Sequence, residues 1–173
     1  MVLGTDGNFY GTTSYGGAGS CADGNGTGCG TVFKITPRGT LTTLHSFNIT
    51  DGSHPFAGLV QAVDGNLYGT TTSDGAYGYG TIFRISSSGT LTTIHNFCDT
   101  SGCSYDPGPL VQTTDGSFYG TMTYGGSEQY GTIFKTTSSG LLTMLDSFDS
   151  RANIASHPNT TPHDKRLRTP RLR

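Results

Sequence analysis

The chain says the same thing three times. Asp6-Gly-Asn-Phe-Tyr-Gly-Thr-Thr returns as Asp64-Gly-Asn-Leu-Tyr-Gly-Thr-Thr and as Asp115-Gly-Ser-Phe-Tyr-Gly-Thr-Met. Gly30-Thr-Val-Phe-Lys-Ile returns as Gly80-Thr-Ile-Phe-Arg-Ile and Gly131-Thr-Ile-Phe-Lys-Thr, and Gly39-Thr-Leu-Thr-Thr-Leu-His-Ser-Phe as Gly89-Thr-Leu-Thr-Thr-Ile-His-Asn-Phe and, more loosely, Gly140-Leu-Leu-Thr-Met-Leu-Asp-Ser-Phe. A period of about 50 residues means one supersecondary unit copied in tandem, and such units bury their apolar faces only against each other.

The unit reads as four short strands. In the second copy Leu59-Val-Gln-Ala-Val is the first, Asp64-Gly65 a two-residue turn needing positive φ at Gly, and Asn66-Leu-Tyr-Gly-Thr-Thr the second strand. After a Gly-rich loop, Tyr79-Gly-Thr-Ile-Phe-Arg-Ile is the third strand, and Thr90-Leu-Thr-Thr-Ile-His-Asn-Phe, past Ser86-Ser-Ser-Gly89, the fourth. Adjacent apolar pairs such as Val32-Phe33 and Ile82-Phe83 would wet one side chain in a half-exposed sheet. They fit a sheet covered on both faces. The expected fold is all-β: three four-stranded antiparallel blades of a partial β-propeller, with a stacked β-solenoid as the alternative. The units are residues 1–58, 59–109 and 110–150.

Residues 1–150 carry four basic residues (Lys34, Arg38, Arg84, Lys135) against eleven acidic ones, a balance of −7. Residues 151–173 carry six basic residues and Asp164, a balance of +5, so the charge breaks where the repeat stops. This stretch, with proline and no strand alternation, is expected to be disordered, and its abrupt onset suggests a truncated or frame-shifted reading frame or a fragment. The acidic body lacks the basic stripe that phosphate binding needs, so nucleic acid is not an expected partner. No apolar run approaches a membrane span. Cys21/Cys29 and Cys98/Cys103 sit as two local pairs in Gly- or Ser-rich loops. Local disulfides would fit an oxidising compartment; a metal site or free thiols are the alternatives, and neither pair has zinc-type spacing.

The pattern across residues 59–97, Leu-Val-Gln through Asp-Gly-Asn-Leu-Tyr-Gly-Thr-Thr and Gly-Thr-Ile-Phe-Arg-Ile to Gly-Thr-Leu-Thr-Thr-Ile-His-Asn-Phe, resembles the GloVer tandem repeat found in bacterial proteins that carry varied surface-anchoring signals. The resemblance spans residues 1–150 in three copies. It implies a secreted or cell-envelope, propeller-like protein and brings no family catalytic residues. Three copies, with neither a secretion signal nor a recognisable anchor among residues 1–173, would be a departure from that pattern and fit the expectation of a fragment.

Chemistry-bearing residues are few. Asp6, Asp23, Asp51, Asp64, Asp74 and Asp115 each precede Gly, which assigns them to turns rather than to a catalytic pair. His45 and His95 share one repeat position, filled by Asp146 in the third unit; alternation would put it on the face of Leu41, Thr43 and Phe47 with a structural role. His54 and Tyr105 share a crossover position within reach of a ligand. The Gly-rich loops offer the candidate ligand-binding residues Tyr15, Tyr77, Tyr79, Tyr124, Glu128 and Tyr130, since tyrosines on loops suit flat polar ligands such as sugars. No catalytic residues, metal or cofactor are expected. Expected partners are the chain itself through blade-to-blade association, further repeats of a longer chain, a glycan or a cell-surface protein. Three units left as an open arc would expose two apolar faces, so homodimerisation is the physical expectation. A non-enzymatic repeat module is the leading functional reading; a carbohydrate-active propeller, lectin-like or hydrolytic, is the alternative.

Overall fold

The computed structural model describes residues 1–21, 28–98 and 104–148. The stretch 151–173, expected to be disordered, lies outside the described residues, as do Asp23 and Cys103. The strands run β1 (Val2–Leu3), β2 (Phe9–Thr13), β3 (Thr31–Ile35), β4 (Leu41–Ser46), β5 (Val60–Gln61), β6 (Leu67–Thr71), β7 (Thr81–Ile85), β8 (Leu91–Asn96), β9 (Tyr105–Pro107), β10 (Val111–Gln112), β11 (Phe118–Tyr124), β12 (Thr132–Thr136) and β13 (Leu142–Ser147). They form three antiparallel sheets in the orders β1-β2-β3-β4, β5-β6-β7-β8 and β10-β11-β12-β13. The third sheet has five strands rather than the expected four, because β9 also pairs β11, with Met122 opposite Pro107 and Tyr124 opposite Tyr105. The crossover into that sheet thus supplies a strand of its own.

The hairpins differ from the expected two-residue turns. Ala62 and Asn66 close the loop in the second unit (Ala62 N–H to Asn66 O, 2.9 Å), leaving the three residues 63–65 between them, with Gly65 at φ 80°. The Asp64 side chain explains the extra residue, since its Oδ1 accepts the Asn66 amide at 3.0 Å and caps the loop from inside. Ser86 and Thr90 close the next hairpin in the same way (3.0 Å), with Gly89 at φ 96°. A three-residue loop ending in a left-handed glycine is a standard hairpin connection.

Between the third and fourth strands of each sheet the register shifts after Val32, Ile82 and Ile133. The extra residue is Leu44, Ile94 or Leu145. Such a bulge reverses the side-chain alternation beyond it. Leu91 therefore packs with the first core cluster and Phe97 in the second, on opposite faces of one strand. Strict alternation, which put Leu41 and Phe47 on one face, fails at this bulge.

Each sheet has a back and a front. The first core joins Tyr10, Val32 and Phe47 from the front of sheet 1 to Leu59, Leu67, Phe83 and Ile85 from the back of sheet 2. The second joins Tyr68, Ile82 and Phe97 from the front of sheet 2 to Leu110, Phe118 and Phe134 from the back of sheet 3. Ile82 and Phe83, neighbours in sequence, thus enter different cores. The rings keep step: Phe47 to Phe83 at 5.1 Å, Phe97 to Phe134 at 6.0 Å, Tyr68 to Phe118 at 4.3 Å. The Gly of each Tyr-Gly-Thr pairs directly with the Phe of the next strand (Gly11 with Phe33, Gly69 with Phe83, Gly120 with Phe134). A Cβ added at Gly69 would stand 2.6 Å from Phe83 Cζ, so that ring lies across the bare backbone.

Two threonine hydroxyls face each other across the second and third strands, Thr13 to Thr31 at 2.8 Å and Thr71 to Thr81 at 2.9 Å. In the third sheet Met122 stands opposite Thr132, whose buried hydroxyl is left without a hydrogen-bond partner.

Candidate functional site

The loops that follow the second strands gather at one rim with the crossovers. Pairing of β9 with β11 sets Tyr105 beside Tyr124, their rings stacked at 4.9 Å and 20°. Tyr79, just ahead of β7, approaches Tyr105 at 5.7 Å. The outer members of this row, Tyr79 and Tyr124, remain exposed. The residues adjoining the stacked pair, Asp106 and Thr123, line an open groove of about 240 Å³ shared with Phe56, Ala57, Thr72, Pro107, Gly108 and Pro109. Its walls are held by hydroxyl-to-carbonyl bonds: Thr123 Oγ1 to Asp106 O at 3.2 Å, Thr72 Oγ1 to His54 O at 3.1 Å. These equivalent bonds make Asp106, rather than Tyr105, the counterpart of His54. Both take positive φ (55° and 60°) immediately before a proline.

A second aromatic group lies at the junction of sheets 1 and 2. Tyr15 meets His54 edge-on at 5.2 Å, and His54 stacks over Phe56 at 6.5 Å. Of the candidate residues, then, Tyr79 and Tyr124 come together through Tyr105, while Tyr15 belongs to the other junction. Tyr77 and Tyr130 are exposed, and Glu128 is exposed on the loop before β12. Phe56 is the rim residue that the repeat pattern gave no reason to single out; its signal was an aromatic side chain in a Pro- and Gly-containing crossover with no strand to bury it.

The carboxylates at the opposite hairpins are acceptors locked in turns. Hydrogen bonds from Asn8, then Tyr10, hold Asp6 below the usual carboxylate range. Burial works to raise Asp64, but the Asn66 and Tyr68 donors outweigh it and the net direction is down. Thr113, the Ser117 amide and Lys135 hold Asp115 well below that range. Burial, reinforced by the Asp6 or Asp64 carboxylate, pushes the Tyr10 and Tyr68 hydroxyls up to about 12. In the third sheet Lys135 takes over as partner of Asp115 at 3.1 Å and lies over the Tyr119 ring.

His45 is tied to the crossover by Asp51, Nε2 to Oδ2 at 2.8 Å, and meets Phe47 edge-on. Cys21 and Cys29 form a disulfide, with the Cys29 side chain inside the first core. Cys98 is also disulfide-bonded. Among the described residues no three His, Cys, Asp or Glu side chains are grouped as metal ligands, and no helix is long and apolar enough to cross a membrane.

The family model of the Gloeobacter/Verrucomicrobia repeat matches residues 1–167. The chain belongs to that family, in agreement with the resemblance read from its tandem motifs. No curated protein matches it.

Proposed function

We propose that this Gloeobacter/Verrucomicrobia repeat chain is a non-enzymatic binding module of a secreted or cell-envelope bacterial protein, an arc of propeller blades whose rim takes a carbohydrate. The observation that carries the reading is the row Tyr79, Tyr105 and Tyr124, half-buried at its centre and exposed at both ends, beside an open groove. Stacked phenol rings offer a flat apolar surface for a sugar's C–H face, and their hydroxyls, with Asp106 and the Thr123 hydroxyl, offer the polar contacts that set orientation.

Three further features support it. Sheets packed face to face through repeated ring contacts are what neighbouring propeller blades require. Bonded cysteines in local loops suit an oxidising compartment. A glycosidase acid needs a carboxyl held protonated toward neutral pH, whereas the hairpin carboxylates Asp6, Asp64 and Asp115 are pulled the other way, which sets these three aside as such an acid.

The test is a printed array of bacterial and plant polysaccharides, followed by titration of any retained glycan. Tyr124→Ala should weaken binding about three- to tenfold, the value of one lost aromatic contact. Tyr130→Ala, away from the row, should leave it unchanged. An array with no retained glycan, or a Tyr124→Ala variant that binds like the parent, would refute the assignment.

A further inference from the structure

Among the described residues the two ends of the array are open in complementary ways. The back of sheet 1 presents Phe9, Phe33, Ile35 and Leu41, where Leu67, Phe83, Ile85 and Leu91 of sheet 2 are covered by sheet 1. Around Phe9, Phe33 and Ile35 lies an apolar groove of about 480 Å³. The front of sheet 3 presents Tyr119, Ile133, Leu145 and Phe148. The same positions in sheets 1 and 2 hold the Tyr, Val or Ile, and Phe side chains of the two cores. Phe47 and Phe97 are 0% and 2% exposed; Phe148 is 46% exposed.

We infer that the front of sheet 3 docks head-to-tail on the back of sheet 1 of a second copy of this chain, repeating the joint already made twice inside it. The occupant follows from that internal joint, which supplies the register. In it, Gly89 sits against the Leu44 carbonyl and Gly140 against that of Ile94; an added Cβ would stand 2.7 Å and 1.8 Å from those oxygens. Gly39, the same position in sheet 1, has nothing within 4 Å of its added Cβ and is the seat for the Leu145 carbonyl. The Phe148 ring then meets the partner's Phe33 as Phe47 meets Phe83. Because the two faces differ, the contact is heterologous: each copy offers one head and one tail.

One element of the joint is altered at the ends. Inside the chain a glutamine of each following sheet accepts an amide from the preceding hairpin: Gln61 Oε1 from Thr5 at 2.8 Å, Gln112 Oε1 from Val63 at 2.9 Å. The matching residue of sheet 1 is Leu3, opposite Phe9 as Gln61 is opposite Leu67. The intermolecular joint therefore keeps the apolar contacts and lacks this polar clasp, which makes it the weakest of the joints and a reversible one.

Sedimentation of the full chain tests this. The parent should associate with rising concentration from its 18.1 kDa monomer. Leu41→Asp and Phe148→Asp alter side chains 63% and 46% exposed, so the monomer fold should survive, as circular dichroism will check. Each should weaken self-association at least about tenfold, since a charge is buried without a partner. An equimolar mixture of the two should recover a heterodimer, because it retains one intact head-to-tail contact. Leu3→Gln, at a residue 60% exposed, should tighten association about threefold or more by restoring the clasp. A parent that stays monomeric throughout, a mixture no better than either variant alone, or a Leu3→Gln chain that associates no more tightly would overturn the inference.

Discussion

Phe47, Phe97 and Phe148 occupy one repeat position in three environments, and truncating each separates the contribution of inter-sheet packing from everything else. Phe97 lies 5.3 Å from His95 and 6.0 Å from Phe134, within the core that also holds Tyr68, Ile82, Leu110 and Phe118. Both walls of that core are sheets hydrogen-bonded along their length, so they relax little around a void. Phe97→Ala should then cost about 3–5 kcal/mol, the transfer free energy of the ring together with the cavity it leaves. Phe47→Ala should cost the same. At Phe148, 46% exposed, about half the transfer term is lost and no closed cavity forms, so the cost should be about 1 kcal/mol.

Urea unfolding followed by circular dichroism measures the difference, in solution dilute enough to keep the chain monomeric. With a slope of about 2 kcal/mol per molar urea, the midpoint should fall by about 2 M for Phe97→Ala and by about 0.5 M for Phe148→Ala. A loss of 3 kcal/mol or more is a large part of the 5–15 kcal/mol typical of a whole domain, so the first variant should be only marginally folded. Equal losses at Phe97 and Phe148 would refute the claim that the sheets hold each other together, because both variants would then report only on their own strands.

Gly69→Ala should cost about 1–3 kcal/mol, since its Cβ would sit 2.6 Å from Phe83 Cζ and 2.8 Å from Leu59 Cδ2; Gly69→Ala combined with Phe83→Leu should lose less than the two changes separately, measured by a double-mutant cycle. Thr132→Val should raise stability by about 1 kcal/mol by removing the buried hydroxyl that lacks a partner, whereas Thr81→Val should lower it by taking the acceptor from the Thr71 hydroxyl and the donor from the Asp51 carbonyl, as thermal unfolding will show. Tyr10 and Tyr68, raised to about 12 when folded, ionise near 10 when unfolded; their contribution is full below pH 10 and is lost as pH rises from about 10 to 12, about 2–3 kcal/mol each, and Tyr68→Phe should blunt the alkaline loss followed by tyrosinate absorbance.

The strand order and the shared burial of neighbours such as Ile82 and Phe83 were legible because each rests on a local rule. A Gly-bounded β-branched run makes a strand, and two adjacent apolar residues need two covered faces. The three-residue hairpins were missed because Asp-Gly suggests a tight turn and says nothing of the residue before it; the Asp64 side chain capping the loop decides the count. The bulge at Leu44, Ile94 and Leu145 carries no glycine to mark it, and so the faces beyond it were assigned wrongly. At the candidate site, Tyr79 and Tyr124 were visible as loop aromatics. Their meeting through Tyr105 depends on the pairing of β9 with β11, a contact fixed by the path of the crossover rather than by any periodic pattern.

That difference points to where this architecture leaves room for function. The residues that repeat with least change, Asp-Gly, Tyr-Gly-Thr and Gly-Thr-Ile-Phe, each have an assigned mechanical duty: capping a hairpin, clearing a ring, filling a core between sheets. A change at the tyrosine or at the Ile-Phe pair of the core is felt by the neighbouring unit as well. The loop before β3 carries a disulfide, that before β7 a tyrosine against the next crossover, that before β12 the exposed Glu128 and Tyr130. These segments differ among units that share one backbone, and they converge on one rim. Loops held by a rigid repeated frame can change without cost to the cores beneath them, which is why the rim, rather than the strands, is the surface on which a ligand would be distinguished.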